Sequence, residues 1–319
     1  MKRRDFVAGT VFSALWPHLA SAQSRVPVIG ILATGSRDPA PFLKIFKEEM
    51  NRLGYPDGQG VRLEVRSGDG RPESLSELAA GLVDSKVDVI VAWITPAVRA
   101  AKQATSKIPI VMAGAGDPVA TGLVSNLARP DGNITGMAGA TTELIGKNVE
   151  LMRELLPSAK TMVALCNTND IFTKTFLDQI ETAATKAAFK LVPIMVERLD
   201  QMEELLPRFG SEQADAVIVQ PSLPNKRAAA LAIAARCPSA SPVDNFAGDG
   251  GLLSYSGRTP DQFRKAAQYV DKILKGIRPS DLPIQLPTQF DLKINLRTAK
   301  ALGLQIPSGM LARADEVLE

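Results

Sequence analysis

The chain has 319 residues, 45% hydrophobic and 22% charged, with a formal net charge of +3. Lys2, Arg3, Arg4 and Asp5 together carry +2 of that charge, so the remainder is near neutral and nothing points to nucleic acid or an anionic membrane surface. The single histidine, His18, lies in the N-terminal segment, which removes Ser-His-Asp catalysis, Cys-His catalysis and His-ligated metal sites from the rest of the chain.

Residues 1–22 read as an export leader. A basic start is followed by a modest apolar stretch, broken by Pro17 and His18, and by Ala20-Ser21-Ala22 as a small-x-small cleavage site. Arg3-Arg4, followed by Asp5 and the apolar pair Phe6-Val7, resembles a twin-arginine signal. Cleavage after Ala22 would release a soluble protein to the periplasm. The alternative, an uncleaved anchor, suits the short and interrupted apolar stretch poorly.

From residue 27 onward, apolar runs alternate with amphipathic helical patterns. VIGILA (28–33) predicts a buried strand, and a helix over 40–53 stops at Gly54. VRLEVR (61–66) alternates strictly, as a half-exposed edge strand does. Leu75, Leu78, Ala79, Leu82 and Val83 form one stripe of a helix over 73–85. VDVIVAWI (87–94) and IPIVMA (108–113) read as central strands. A helix over 142–156, with Leu144, Asn148, Leu151, Met152 and Leu155 on one stripe, ends before Pro157 and opens a second series. That series runs strand 161–166, helix 172–188, strand 190–195, helix 201–208, strand 216–220 and helix 225–236, then a late helix over 260–275 and a strand over 290–296. Such alternation predicts two α/β layers of parallel strands with right-handed crossovers. Cys166 and Cys237 fall at opposite ends of the second layer and read as buried free thiols.

In open parallel sheets, ligands sit beyond the carboxyl ends of the strands. This selects the loops at 34–38, 93–96, 114–119, 166–172, 220–225 and 243–246. They are rich in residues that cap helix N-termini, where free N–H groups also hold carboxylates. Thr34, Ser36, Thr95 and Ser222 are candidates for that work, with Thr95 as the cap of a helix that has Pro96 at its first position. Asp117, Asp244, Asn167 and Asn169 could hold an ammonium or hydroxyl, although Asp-Pro and Asn-Asp also suit plain turns. Trp93 could form an aromatic wall or pack beneath the next helix; Phe172 and Phe246 are weaker aromatic candidates. Neither GILATGSRDP nor GAGDPV completes a dinucleotide or phosphate-loop pattern, so no cofactor is expected.

Several stretches together resemble one family. They are VIGILATGS (28–36), LGYPDGQGVRLEVR (53–66), the run 87–97, GDPVATGLVSNLARPDGNITG (116–136), ELLP (154–157), GGLLSY (250–255) and the ending 294–319. Across essentially the whole chain after the leader, the sequence is similar to the ABC-transporter substrate-binding proteins of the tryptophan/tyrosine-binding type. The resemblance implies the type I periplasmic-binding fold: two Rossmann-like lobes with parallel sheets, joined by three crossovers, with ligand held between them. It assigns 27–139 plus 256–282 to the N-terminal lobe and 140–255 plus 283–319 to the C-terminal lobe. Ser36 and Thr95 match where such proteins receive a ligand carboxylate, and Asp117 and the loop 167–169 face the same cleft. It also implies a monomeric, non-enzymatic receptor. Its partners would be a small carboxylate-bearing solute, such as an amino acid or an aromatic or branched acid, and an inner-membrane permease with a separate ATPase. Two alternatives are a ligand-binding partner of a membrane sensor on the same fold, and a secreted enzyme using Asp117 or Asp244 as acid or base.

Overall fold

The structure is a computed structural model that describes residues 25–34, 40–69, 71–139 and 142–319. The expected leader (1–22) and Ser36 lie outside the described residues.

The first half runs β1 (Val28–Ala33), α1 (Ala40–Arg52), β2 (Arg62–Ser67), α2 (Leu75–Asp84), β3 (Val89–Trp93), α3 (Ile94–Ala104), β4 (Ile110–Ala115) and β5 (Ile134–Ala138). These strands form one parallel sheet in the order β2-β1-β3-β4-β5. β1 is buried at every position because helices cover both faces, which is why its sequence is an unbroken apolar run. β2 keeps polar residues because it is an edge strand. Gly54 ends α1 with φ +94°, as expected of its position.

The second half runs α4 (Thr142–Leu155), β6 (Thr161–Asn167), α5 (Thr173–Lys186), β7 (Lys190–Val196), α6 (Leu206–Ser211), β8 (Ala216–Val219), α7 (Asn225–Ala234), β9 (Ser239–Ser241) and β10 (Leu253–Gly257). Then come α8 (Thr259–Leu274), β11 (Phe290–Asn295), α9 (Leu296–Ala301), α10 (Ser308–Leu311) and β12 (Glu316–Leu318). The second sheet has the order β12-β11-β10-β9-β8-β6-β7. It is parallel except for the β10–β11 pair, which is antiparallel because β11 is the returning strand of a crossing. The helix expected over 201–208 is instead a 3₁₀ stretch, Leu199–Leu205, running into α6 with a non-helical Gln201 inside it. The short β9, β10 and β12 carry too little periodicity to stand out in the sequence.

Each sheet has an apolar cluster on both faces. In the first lobe, α2 and α3 cover one face, while α1 and α8 cover the other through Phe42, Phe46, Phe263 and Val270. So α8 packs on the first sheet although it follows β10 of the second. The chain therefore crosses between the sheets three times: from β5 to α4, from β10 to α8, and between Gln285 and Phe290. Ile284 and Gln285 still belong to the first sheet's surroundings, where Gln285 N–H donates to Gly136 O and Ala138 N–H donates to Gln285 O. In the second lobe, α4 and α5 lie on one face, and α7 with the 199–211 segment on the other.

Candidate functional site

Register places the candidate loops. Ala33 pairs with Trp93 and Trp93 with Ala113, so β1 and β3 end level with one another and β4 runs two residues further, to Ala115. Leu165 pairs with Val219, which brings the loops after β6 and β8 together in the second lobe. The two sets of loops meet: Ile171 packs against the first lobe's apolar cluster, and Phe172 lies against Gly116.

On the first-lobe side, the Thr34 hydroxyl donates to Trp93 O at 3.2 Å, joining the ends of β1 and β3. Trp93 is half-buried. It stacks on Phe42 (centroids 6.0 Å apart, 18° between planes) and meets Phe263 edge-on at 5.4 Å. Its packing partners therefore lie on α1 and α8, not beneath α3. The junction that follows differs from expectation. α3 begins at Ile94, which has φ +68°, a rare conformation for a β-branched residue and one that costs about 1–3 kcal/mol. Thr95 does not cap α3. With Ile94 left-handed, its side chain turns to the neighbouring strand end, where Oγ1 accepts the Gly116 N–H at 2.9 Å, fully buried. Asp117 is half-buried and caps its own turn, its Oδ1 accepting the Ala120 N–H at 3.0 Å.

On the second-lobe side, a buried polar network fills the loop ends. Gln220 Oε1 accepts the Asn167 N–H at 2.7 Å, and Gln220 Nε2 donates to Asp170 Oδ2 at 2.9 Å. Asp170 Oδ1 accepts the Phe172 N–H at 2.9 Å. The Thr173 hydroxyl lies 3.0 Å from Gln220 Oε1, and Asn167 Nδ2 lies 3.4 Å from Ser222 Oγ. Burial pushes the Asp170 carboxyl above its ordinary range, opposed by Ser222, the Phe172 N–H and Gln220, and more weakly by Arg99 across in the first lobe. Asn169 stands at the exposed rim, its N–H donating to Asn167 Oδ1 and its side chain to Glu197 O.

Asp244 sits apart, among the crossing strands. Its Oδ1 is 2.9 Å from Lys293 Nζ on β11, and its Oδ2 is 3.4 Å from the Thr259 N–H that starts α8. Burial alone would lower the Lys293 ammonium, but Asp244 and Glu316 on either side raise it. The carboxylate is thus already engaged by a cation of its own chain. Phe246 is fully buried in the second lobe's core.

Asp170, Gln220, Thr173 and Lys293 escaped the sequence reading. Asn-Asp in a loop looks like ordinary turn chemistry, and only burial distinguishes Asp170 from a solvated turn residue. Cys166 and Cys237 are free and buried, and burial raises both thiols, Cys237 to about 12. Among the described residues, no group of three or more His, Cys, Asp or Glu could hold a metal ion, and no helix is long and apolar enough to cross a membrane.

A curated relative, the tyrosine-binding protein of Clostridioides difficile (strain R20291), is 26% identical over 289 residues, covering 89% of this chain and 82% of its own. The structure of an ABC domain in complex with L-Trp from Streptococcus pneumonia superposes with a TM-score of 0.82 at 24% identity, over 92% of this chain and 100% of that one. The ligand-free, open structure of a substrate-binding protein with adhesive properties from Clostridium difficile gives 0.63, also at 24% identity, over 92% and 99% of the two chains. The architecture is the type I periplasmic-binding-protein fold. The family described as ABC transporter substrate binding protein matches residues 25–318, and this chain belongs to it.

Proposed function

We propose that this protein is the periplasmic receptor of an importer and captures an amino acid of the tyrosine or tryptophan class between its lobes. The observation that carries the reading is the meeting of two sets of strand-end loops. Thr34, Trp93, Thr95 and Asp117 come from one sheet, and Asn167, Asn169 and Ser222 from the other. The Thr34 and Thr95 hydroxyls are engaged within the first lobe, so the backbone N–H groups that open α3 are what suits a carboxylate there, and the acidic and amide groups opposite suit an ammonium. Ser36, on the loop after β1, would join the carboxylate side.

Ligand that touches both lobes favours the closed arrangement by its differential affinity, and a permease then reads that shape. Support for a closed arrangement comes from the contact of Phe172 with Gly116 and from the higher superposition score against the L-Trp complex than against the open form. The partners would be an inner-membrane permease and its ATPase, the receptor acting as a monomer after export and cleavage at Ala22.

A thermal-shift screen of the mature chain tests this. Tyrosine, tryptophan or a related aromatic acid should raise the unfolding midpoint, by about 2.7 kcal/mol of stabilisation at a hundredfold excess over Kd. Stabilisation by a sugar or nucleoside, with none by any amino acid or small carboxylate, would sink the assignment.

A further inference from the structure

We propose that Ile171 and Phe172 form an apolar latch that draws the two lobes together, with Gly116 as its seat. The proposal rests on the reading above, in which the lobes rotate about the crossings.

The latch belongs to the second lobe. Its loop is preformed there by Asn167, Asp170, Gln220 and Thr173, so the tip needs little further ordering to dock. Yet the tip is buried by the first lobe as well as its own. Phe172 is only 1% exposed despite its place in a loop. One side of its ring faces Phe176, with centroids 5.9 Å apart. Against the ring also lies Gly116, where an added Cβ would fall 2.7 Å from ring carbons Cδ1 and Cε1. Ile171 packs beside it against the first-lobe cluster that contains Val98, Leu123 and Val124.

Gly116 identifies the contact as specific. Its φ lies outside the left-handed region, so the backbone there would accept any residue. What excludes a side chain is the ring of the other lobe. Thr95 holds this glycine in place through its N–H. Because the two loops lie far apart in sequence and on different sheets, separating the lobes exposes both apolar side chains. The contact therefore favours the closed state by its own free energy, before any ligand contributes.

Small-angle X-ray scattering on the mature chain, with and without L-tyrosine, tests this in wild type, Gly116→Ala, Phe172→Ala and the double variant. Without tyrosine, Gly116→Ala should raise the radius of gyration, and tyrosine affinity should fall about tenfold as the competent population shrinks. Phe172→Ala should do the same. In the double variant Gly116→Ala should add nothing, since the ring it would strike is gone. A Gly116→Ala profile superimposable on wild type, or additive shifts in the double variant, overturns the latch. Should Gly116→Ala not fold, Phe172→Ala alone decides, and an unchanged radius of gyration refutes the proposal. If wild type binds no amino acid while the scattering shift is present, the amino-acid assignment fails and the latch stands. If tyrosine binds and the scattering does not move, the latch alone fails.

Discussion

Thr95 Oγ1 accepts the buried backbone N–H of Gly116 at 2.9 Å, tying the end of β3 to the end of β4. This bond replaces the helix cap that the Thr-Pro pair suggests. Thr95→Val keeps the shape but leaves that N–H unpaired, which should cost about 1–3 kcal/mol. Thr95→Ser keeps the hydroxyl and should stay near wild type. Denaturant unfolding separates the two, and equal stability of Val and wild type would remove the bond's importance.

Trp93 should report ligand binding. The only other tryptophan, Trp16, lies within residues 1–22, so Trp93 would be the sole indole of a chain cleaved after Ala22. It is half-buried against Phe42 and Phe263 at the carboxyl edge of the first sheet. Tyrosine binding should change its emission under selective indole excitation. A tight ligand that leaves the emission unmoved would make Trp93 a packing residue only.

Glu49 sets an acid limit on the first lobe. The Arg52 guanidinium bonds its carboxylate at 2.6 and 2.8 Å, Gln268 Nε2 of α8 adds a third bond at 2.8 Å, and together they pull its pKa down to about 2 against an opposing effect of burial. A depressed carboxylate stabilises the fold above its ordinary value of 4.5 and loses that contribution as pH falls towards 2. Allowing for the solvent around Arg52, the contribution is about 2 kcal/mol. Glu49→Gln should lower stability at pH 7 by that order and leave it nearly unchanged near pH 2. An equal loss at both pH values would rule out the ionised carboxylate as the cause.

Asn148 is a strand substitute. β9 stops at Ser241, opposite Ser254, and beyond it Asn148 takes both backbone groups of Tyr255: Nδ2 donates to Tyr255 O at 2.8 Å and Oδ1 accepts the N–H at 3.2 Å. Asn148→Leu restores the apolar stripe of α4 yet strands those groups in a buried site, so it should destabilise by about 2–3 kcal/mol. A neutral or stabilising result would show that water replaces the amide.

Neither cysteine should react with a thiol reagent in the native state, because burial keeps both protonated. Labelling should track unfolding. Rapid native labelling of Cys166 would reveal opening of the second lobe's core.

Much of the fold was legible because burial leaves a one-dimensional trace. The unbroken run of β1, the alternation of β2 and the helical stripe of α2 each record how many faces are covered. Short strands such as β9 and β12 left no such trace, and the 199–211 segment has a helical pattern that its own kink at Gln201 interrupts. Among the candidate loops, Thr34, Asn167 and Ser222 were singled out because polar residues at strand ends stand out. Asp170 was not, since nothing local distinguishes a buried aspartate in a turn from a solvated one.

The sequence by itself determined the alternation of strands and helices, the grouping into two sheets, the candidate loops at their carboxyl ends, and the absence of histidine chemistry after residue 18. Those properties depend on residue type and local period alone. Only the tertiary structure decided that Thr95 serves Gly116 rather than its own helix, that Lys293 occupies Asp244, and that Asp170 anchors the loop whose Phe172 ring lies on Gly116. Contacts that join separate segments, such as Thr95 to Gly116, Asp244 to Lys293, Gln220 to Asp170 and Phe172 to Gly116, depend on where the chain returns in space, which local residue pattern does not record.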